Sequence, residues 1–122
     1  MILKTNTIKK LNSLLKLPAT GNEQDWDIEL ADFKRIEEFI DFFFKNEETL
    51  NEEEKKSIAA LILASYDDYL NNHIHNENLW TSIKSILKSD KYIYNELVDY
   101  WSINNKTEAE NHFNITPLCR LI

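Results

Sequence analysis

The chain holds one glycine, two prolines and one cysteine in 122 residues. So little glycine and proline leaves almost no material for hairpin turns or for a Gly-rich phosphate loop. It favours helices joined by Asn, Asp and Ser caps. The lone cysteine, Cys119, rules out an internal disulfide and points to a reducing compartment. No apolar run approaches the ~20 residues of a membrane span, and Met1-Ile-Leu-Lys-Thr-Asn has no signal-type apolar region. A cytoplasmic protein without a membrane segment is expected. Gly-x-Ser-x-Gly and P-loop motifs are also missing, so the expectation is a non-enzyme without cofactor.

What is present is a core. Apolar content of 43% with 11% aromatics argues against disorder. A chain of this length forms one domain and buries roughly two-thirds of its unfolded surface. Ile8, Leu11, Leu14 and Leu15 share one face of a first helix over 6–16, ended by Pro18 and Gly21. Asp32 caps a second, over 33–45, with Phe33, Ile36, Phe39, Ile40 and Phe43 inside. Asn51 and Glu54 form a capping box for a third, whose Ile58-Ala-Ala-Leu-Ile-Leu-Ala run is apolar all round and therefore central. Asn76 or Asn78 starts a fourth, with Leu79, Trp80, Ile83, Ile86 and Leu87. Asp90 starts a fifth, with Tyr94, Leu97, Val98 and Trp101. Thr116 as N-cap and Pro117 at N1 open a last turn burying Leu118 and Leu121, with Cys119 as a small buried hydrophobe. The fold class is all-α, a single bundle of about five main helices.

Between the first two helices the period changes. Trp26, Ile28 and Leu30 alternate with Asp25, Asp27 and Glu29, the pattern of an extended segment. An extended acidic strap is expected, apolar side down, with Trp26 as its anchor. The three acids would then project about 6.6 Å apart. Such a ladder suits either pairing with Arg and Lys of a partner or a solvated loop face.

The charge is local. Residues 1–22 carry +4, residues 23–54 carry −10, and the remainder carries −1. Concentrated negative charge speeds encounter with basic partners and repels nucleic acid and anionic membrane. Glu52, Glu53 and Glu54 are accounted for by the start of the third helix. Glu37 and Asp41 are like charges one turn apart, which costs a few tenths of a kcal/mol. Asp67 and Asp68 stand near a helix C-terminus, against the dipole, so one of them is expected to have an internal role. Candidate partner-binding residues are Glu23, Asp25, Asp27, Glu29, Glu37 and Asp41, then Tyr66, Asp67 and Asp68.

His73 and His75, with Asp67, Asp68 and His112, make the one candidate metal cluster. Residues i and i+2 of a helix point about 200° apart, so the two histidines cannot share a site there. Solvated loop histidines, and no metal, are expected.

Several segments together resemble small all-helical bacterial immunity proteins. They are Leu17-Pro-Ala-Thr-Gly-Asn-Glu-Gln-Asp-Trp-Asp-Ile-Glu-Leu30, Arg35-Ile-Glu-Glu-Phe39, Ala64-Ser-Tyr-Asp-Asp68, Tyr100-Trp101 and Phe113-Asn-Ile-Thr-Pro-Leu-Cys-Arg120. Such proteins are the cytosolic antidotes of polymorphic and contact-dependent growth inhibition toxins. The capped helical segments lead us to expect a monomer, and the resemblance implies that it binds a cognate toxin C-terminal domain, often a basic nuclease, and blocks its active site or substrate surface. It implies no catalytic residue, and the negative charge implies no direct binding of nucleic acid. A phage nucleic-acid mimic and a helical adaptor are the alternative readings.

Overall fold

The computed structural model describes residues 4–103 and 113–122. Its helices are α1 (Thr5–Leu14), α2 (Trp26–Glu29), α3 (Ile36–Asn46), α4 (Glu52–Asn72), α5 (Glu77–Ser89), α6 (Lys91–Ser102) and α7 (Thr116–Cys119). A 3-10 turn, Phe33–Arg35, leads into α3. Among the described residues there is no strand, so the all-α expectation holds. The polar segment 104–111 and His112 lie outside the described residues.

α4 is the axis. Every residue from Ser57 to Tyr66 is buried, and α1, α2, α3, α5, α6 and the 3-10 turn all pack on it. A helix with apolar side chains all round is stable only in such a place. Its start is the capping box expected from Asn51 and Glu54: Asn51 Oδ1 accepts from the Glu54 amide at 2.8 Å, and Glu54 Oε1 accepts from the Asn51 amide at 2.9 Å. Glu54 also meets Lys10 Nζ of α1 at 2.6 Å, with its side chain only 4% exposed.

That buried carboxylate yields a stability prediction. The hydrogen bond from Lys10 holds the Glu54 carboxyl below its ordinary value of 4.5, against the opposing effect of burial. A depressed folded value means stabilisation that is complete above the ordinary value and lost as pH falls through the folded one. Glu54→Gln keeps the back-bond to Asn51 and should cost under about 1 kcal/mol. Glu54→Ala loses both contacts and should cost about 2 kcal/mol, with the difference from parent shrinking at acid pH. Urea unfolding at two pH values measures this, and equal costs for the two variants would refute it.

Asn76 Oδ1 caps α5 through the Leu79 amide, and Asp90 Oδ1 caps α6 through Tyr92 and Ile93. Asp32 caps as expected, but what it opens is the 3-10 turn, which leaves Phe33 only half-buried against His73. α1 ends earlier than its periodicity suggests. Lys16 takes a left-handed conformation (φ 51°), the Leu17 amide reaches back to Asn12 O, and Leu14 is left 49% exposed. Arg35 collects the loose end of α1, donating to Leu15 O at 2.5 Å and Lys16 O at 3.2 Å while lying over the Phe39 ring. At the other terminus Ile115, not Thr116, occupies the N-cap of α7. The Thr116 hydroxyl instead donates to Trp101 O at 2.8 Å, holding α7 on α6. Leu118 is half-buried, but Leu121 is 84% exposed, contrary to expectation. Cys119 is buried, and burial pushes its thiol up to about 12, so it is chemically quiet.

The acidic strap is a helix. Glu29 N bonds Asp25 O at 2.8 Å and Leu30 N bonds Trp26 O at 3.1 Å, closing one turn as α2. The physical reason is backbone satisfaction: a lone extended segment on a helical body has no strand to pair with, whereas a helical turn pairs with itself. Glu29 Oε2 then accepts from the Asp25 amide at 2.8 Å and stiffens the turn. Trp26 and Leu30, one turn apart, both face inward as expected, and Trp26 Nε1 donates to Asn12 Oδ1 at 2.8 Å. The two residues between them swap sides. Ile28 turns out, 45% exposed, and Asp27 turns in, 9% exposed.

Candidate functional site

The helical turn of α2 dismantles the predicted ladder. Asp25 and Glu29 remain exposed, while Asp27 points toward a groove between α2, α4 and α6. The groove has a volume of about 460 Å³ and is lined by Asp25, Asp27, Ile28, Lys56, Glu96, Leu97, Tyr100 and Trp101. Lys56 on α4 is ion-paired with Glu96 on α6, so its charge is balanced from within.

Two buried polar groups border this groove. Asp27 is nine-tenths buried, and its carboxylate accepts from its own amide and that of Ile28. Burial pushes the Asp27 carboxyl above its ordinary value, and neighbouring Asp25 pushes it the same way. Trp101 is 2% exposed and its indole N–H has no acceptor. Buried donors without partners are uncommon, and each needs a physical account. Beside them Tyr100 keeps 51% of its surface exposed.

A second depression of about 210 Å³ adjoins the first, sharing Ile28 and Trp101 with it. It is lined further by Asp67, Asp68, Asn71 and Phe113. The fold thus brings Asp25 and Asp27, distant in sequence from Asp67 and Asp68, around one Ile28–Trp101 ridge. Of the second acidic pair, Asp67 has the internal role: its Oδ1 accepts from the Ile115 amide at 3.0 Å and its carbonyl from Asn114 Nδ2. Burial raises the Asp67 carboxyl above its ordinary value. Asp68 is half-buried and makes no ion pair among the described residues.

The other predicted residues stand elsewhere. Glu37 and Asp41 are exposed on α3, bordering a shallow groove of about 420 Å³ shared with α5. Glu23 serves its own loop, accepting from the Thr20 amide, the Thr20 hydroxyl at 2.6 Å and the Gly21 amide. Gly21, at φ 89°, is where that loop needs glycine. Tyr66 is a correction. It is fully buried, with its hydroxyl bonded to His75 Nδ1 at 2.6 Å and to the Asn76 backbone, and its ring stacked between Tyr69 and Trp80. It offers a partner no surface.

His75 is accordingly more than a loop histidine, since its Nε2 also meets Glu77 Oε2 at 2.9 Å. His73 stacks on Tyr69 at 4.5 Å. Among the described residues no group of three His, Cys, Asp or Glu side chains is placed to hold a metal ion.

Trp101 is core as its helix stripe predicts, while Tyr100, Ile28 and Glu96 contribute surface that the expected site residues do not include. A signal existed: Tyr92, Glu96 and Tyr100 recur every four residues along α6, a mixed acidic and aromatic stripe. Tyr92 is 87% exposed. The arrangement offers carboxylates, phenol rings and an N–H donor. It is equipped to bind. No protein-family model, curated protein or solved structure matches the chain. Among the described residues no helix is long and apolar enough to cross a membrane.

Proposed function

We propose that the chain is a bacterial immunity protein: it binds the C-terminal domain of a cognate antibacterial toxin in the cytoplasm and neutralises it. The domain is basic, a nuclease in this reading, and its active site or substrate surface is covered by the acidic side of α2 and α3. No catalysis and no cofactor are involved. The observation that carries the reading is charge left over after the fold is satisfied. Glu23, Glu29, Asp32 and Glu54 cap turns or helices, and Glu38 pairs with Arg35. Asp25, Glu37, Asp41, Glu48 and Glu52 form no ion pair among the described residues. Unspent negative charge of this density costs stability through self-repulsion and gains meaning against a basic surface. The break-up of the Asp25–Asp27–Glu29 ladder counts against a duplex mimic, which needs regularly spaced charge.

The test is direct. The toxin domain encoded beside this gene should form an equimolar complex with the purified protein, with a nanomolar or lower dissociation constant. Its activity should fall in proportion. Full toxin activity in the presence of excess protein, or no complex by calorimetry, overturns the proposal.

A further inference from the structure

The groove between α2 and α6 contains two features that the fold alone does not explain. Among the described residues Asp27 is nine-tenths buried and forms no ion pair, and the buried Trp101 N–H has no acceptor. Removing a carboxylate from water is costly, and burial is the largest influence on Asp27. An orphan indole N–H adds a further penalty. The groove does have a lysine, Lys56, but Glu96 holds it. Among the described residues the remaining charge lining the groove is negative, that of Asp25 and Asp27. On one wall Tyr100 shows half its surface, and on the other Ile28 breaks the polar face of α2. At about 460 Å³ the space falls within the range of small-ligand sites.

We infer that this groove seats one arginine side chain presented by a loop of the basic partner. The guanidinium lies on the Asp25–Asp27 carboxylates and against the Tyr100 ring, and a carbonyl of the same loop takes the Trp101 N–H. The inference rests on the reading above that a basic protein is the partner, and specifies where that partner inserts. Arginine is favoured over lysine for two reasons. Its planar fork bonds carboxylates in pairs, and its weakly hydrated face stacks on an aromatic ring. A lysine ammonium satisfies neither the geometry nor the stacking. A free cation also leaves Trp101 unpartnered, so the occupant has to carry an acceptor, which every peptide does.

Three capped tripeptides, with arginine, lysine or the neutral isostere citrulline between glycines, serve as probes for the uniformly ¹⁵N-labelled protein. The arginine peptide should shift the Trp101 indole N–H and the backbone amides of Asp27 and Tyr100, more strongly than the lysine peptide. The citrulline peptide should leave them in place. Asp27→Asn, which keeps shape and removes charge, should weaken arginine binding at least about tenfold, the loss of one charged hydrogen bond. Its melting temperature should not fall, so a folding defect cannot mimic the result. An unmoved Trp101 N–H, equal binding of citrulline, or undiminished binding to Asp27→Asn each overturns the inference. The toxin complex separates the two proposals. Neutralisation with no arginine site in the groove leaves the immunity reading standing and removes this one. An arginine site in a protein that neutralises no toxin domain does the reverse.

Discussion

Trp26→Ala should lower folding stability by about 3–5 kcal/mol, the range for truncating a buried aromatic. Trp26 is 3% exposed and is the only large side chain that α2 drives into the body besides Leu30. A single helical turn of four residues has no stability of its own. It persists because Trp26 and Leu30 pin it to α4 and because Trp26 Nε1 reaches Asn12 on α1. Without the ring, α2 loses its attachment and the groove loses one wall, so Asp25 and Asp27 are no longer held beside Tyr100. Asn12→Ala should cost less, about 1–3 kcal/mol, since it only leaves the indole N–H unpaired. Urea denaturation followed by far-ultraviolet circular dichroism reads both. A Trp26→Ala cost below about 1 kcal/mol would mean that α2 is held by something other than its tryptophan.

Reversing surface charge should separate the two acidic grooves. Asp25→Lys with Asp68→Lys alters the α2–α6 side, and Glu37→Lys with Asp41→Lys alters the α3–α5 side. None of these four carboxylates caps a helix or pairs with a cation among the described residues, so both doubles should fold. The first double should slow association with the proposed toxin partner by about 10–100-fold at low salt and also shorten the life of the complex. The second should slow association less and leave dissociation almost unchanged, because it removes steering and not contact. Both effects on association should shrink as salt screens the field. Stopped-flow kinetics at two ionic strengths gives the answer. A larger effect from Glu37 and Asp41 on dissociation moves the docking face to α3 and α5.

What could be read before folding was what local chemistry decides. Asn51 with Glu54, and Asp90, announce helix starts by side chains that reach their own first turn, and these are found where expected. The all-round apolar run in α4 states its central place for the same reason. The segment from Asp25 to Leu30 misleads because six residues fit two periods at once. Trp26, Ile28 and Leu30 alternate, but Trp26 and Leu30 are also one helical turn apart. What decides between them is the absence of a strand partner, which is a property of the whole fold. Asp67 and Asp68 show the same limit: the dipole argument requires one internal partner, and only the arrival of Ile115 from 48 positions away selects Asp67. Tyr66 looked like surface beside two aspartates, and the stack that swallows it is completed by Trp80, which arrives from α5.

The central position of α4 divides the molecule into parts with different freedom to evolve. From Ser57 to Tyr66 each side chain touches the interior, and α1, α2, α3, α5 and α6 all lean on that stretch. A change there is felt by several neighbours together and is tolerated only at near-constant volume. The outward sides of α2, α3 and α6 carry no such obligation. A lineage obliged to follow a changing partner can therefore rewrite Asp25, Ile28, Glu37, Asp41, Glu96 and Tyr100 one at a time on an unaltered spindle. Relatives should then agree along the axis and disagree around the grooves, so that kinship is visible in the buried helix while specificity is written at the rim.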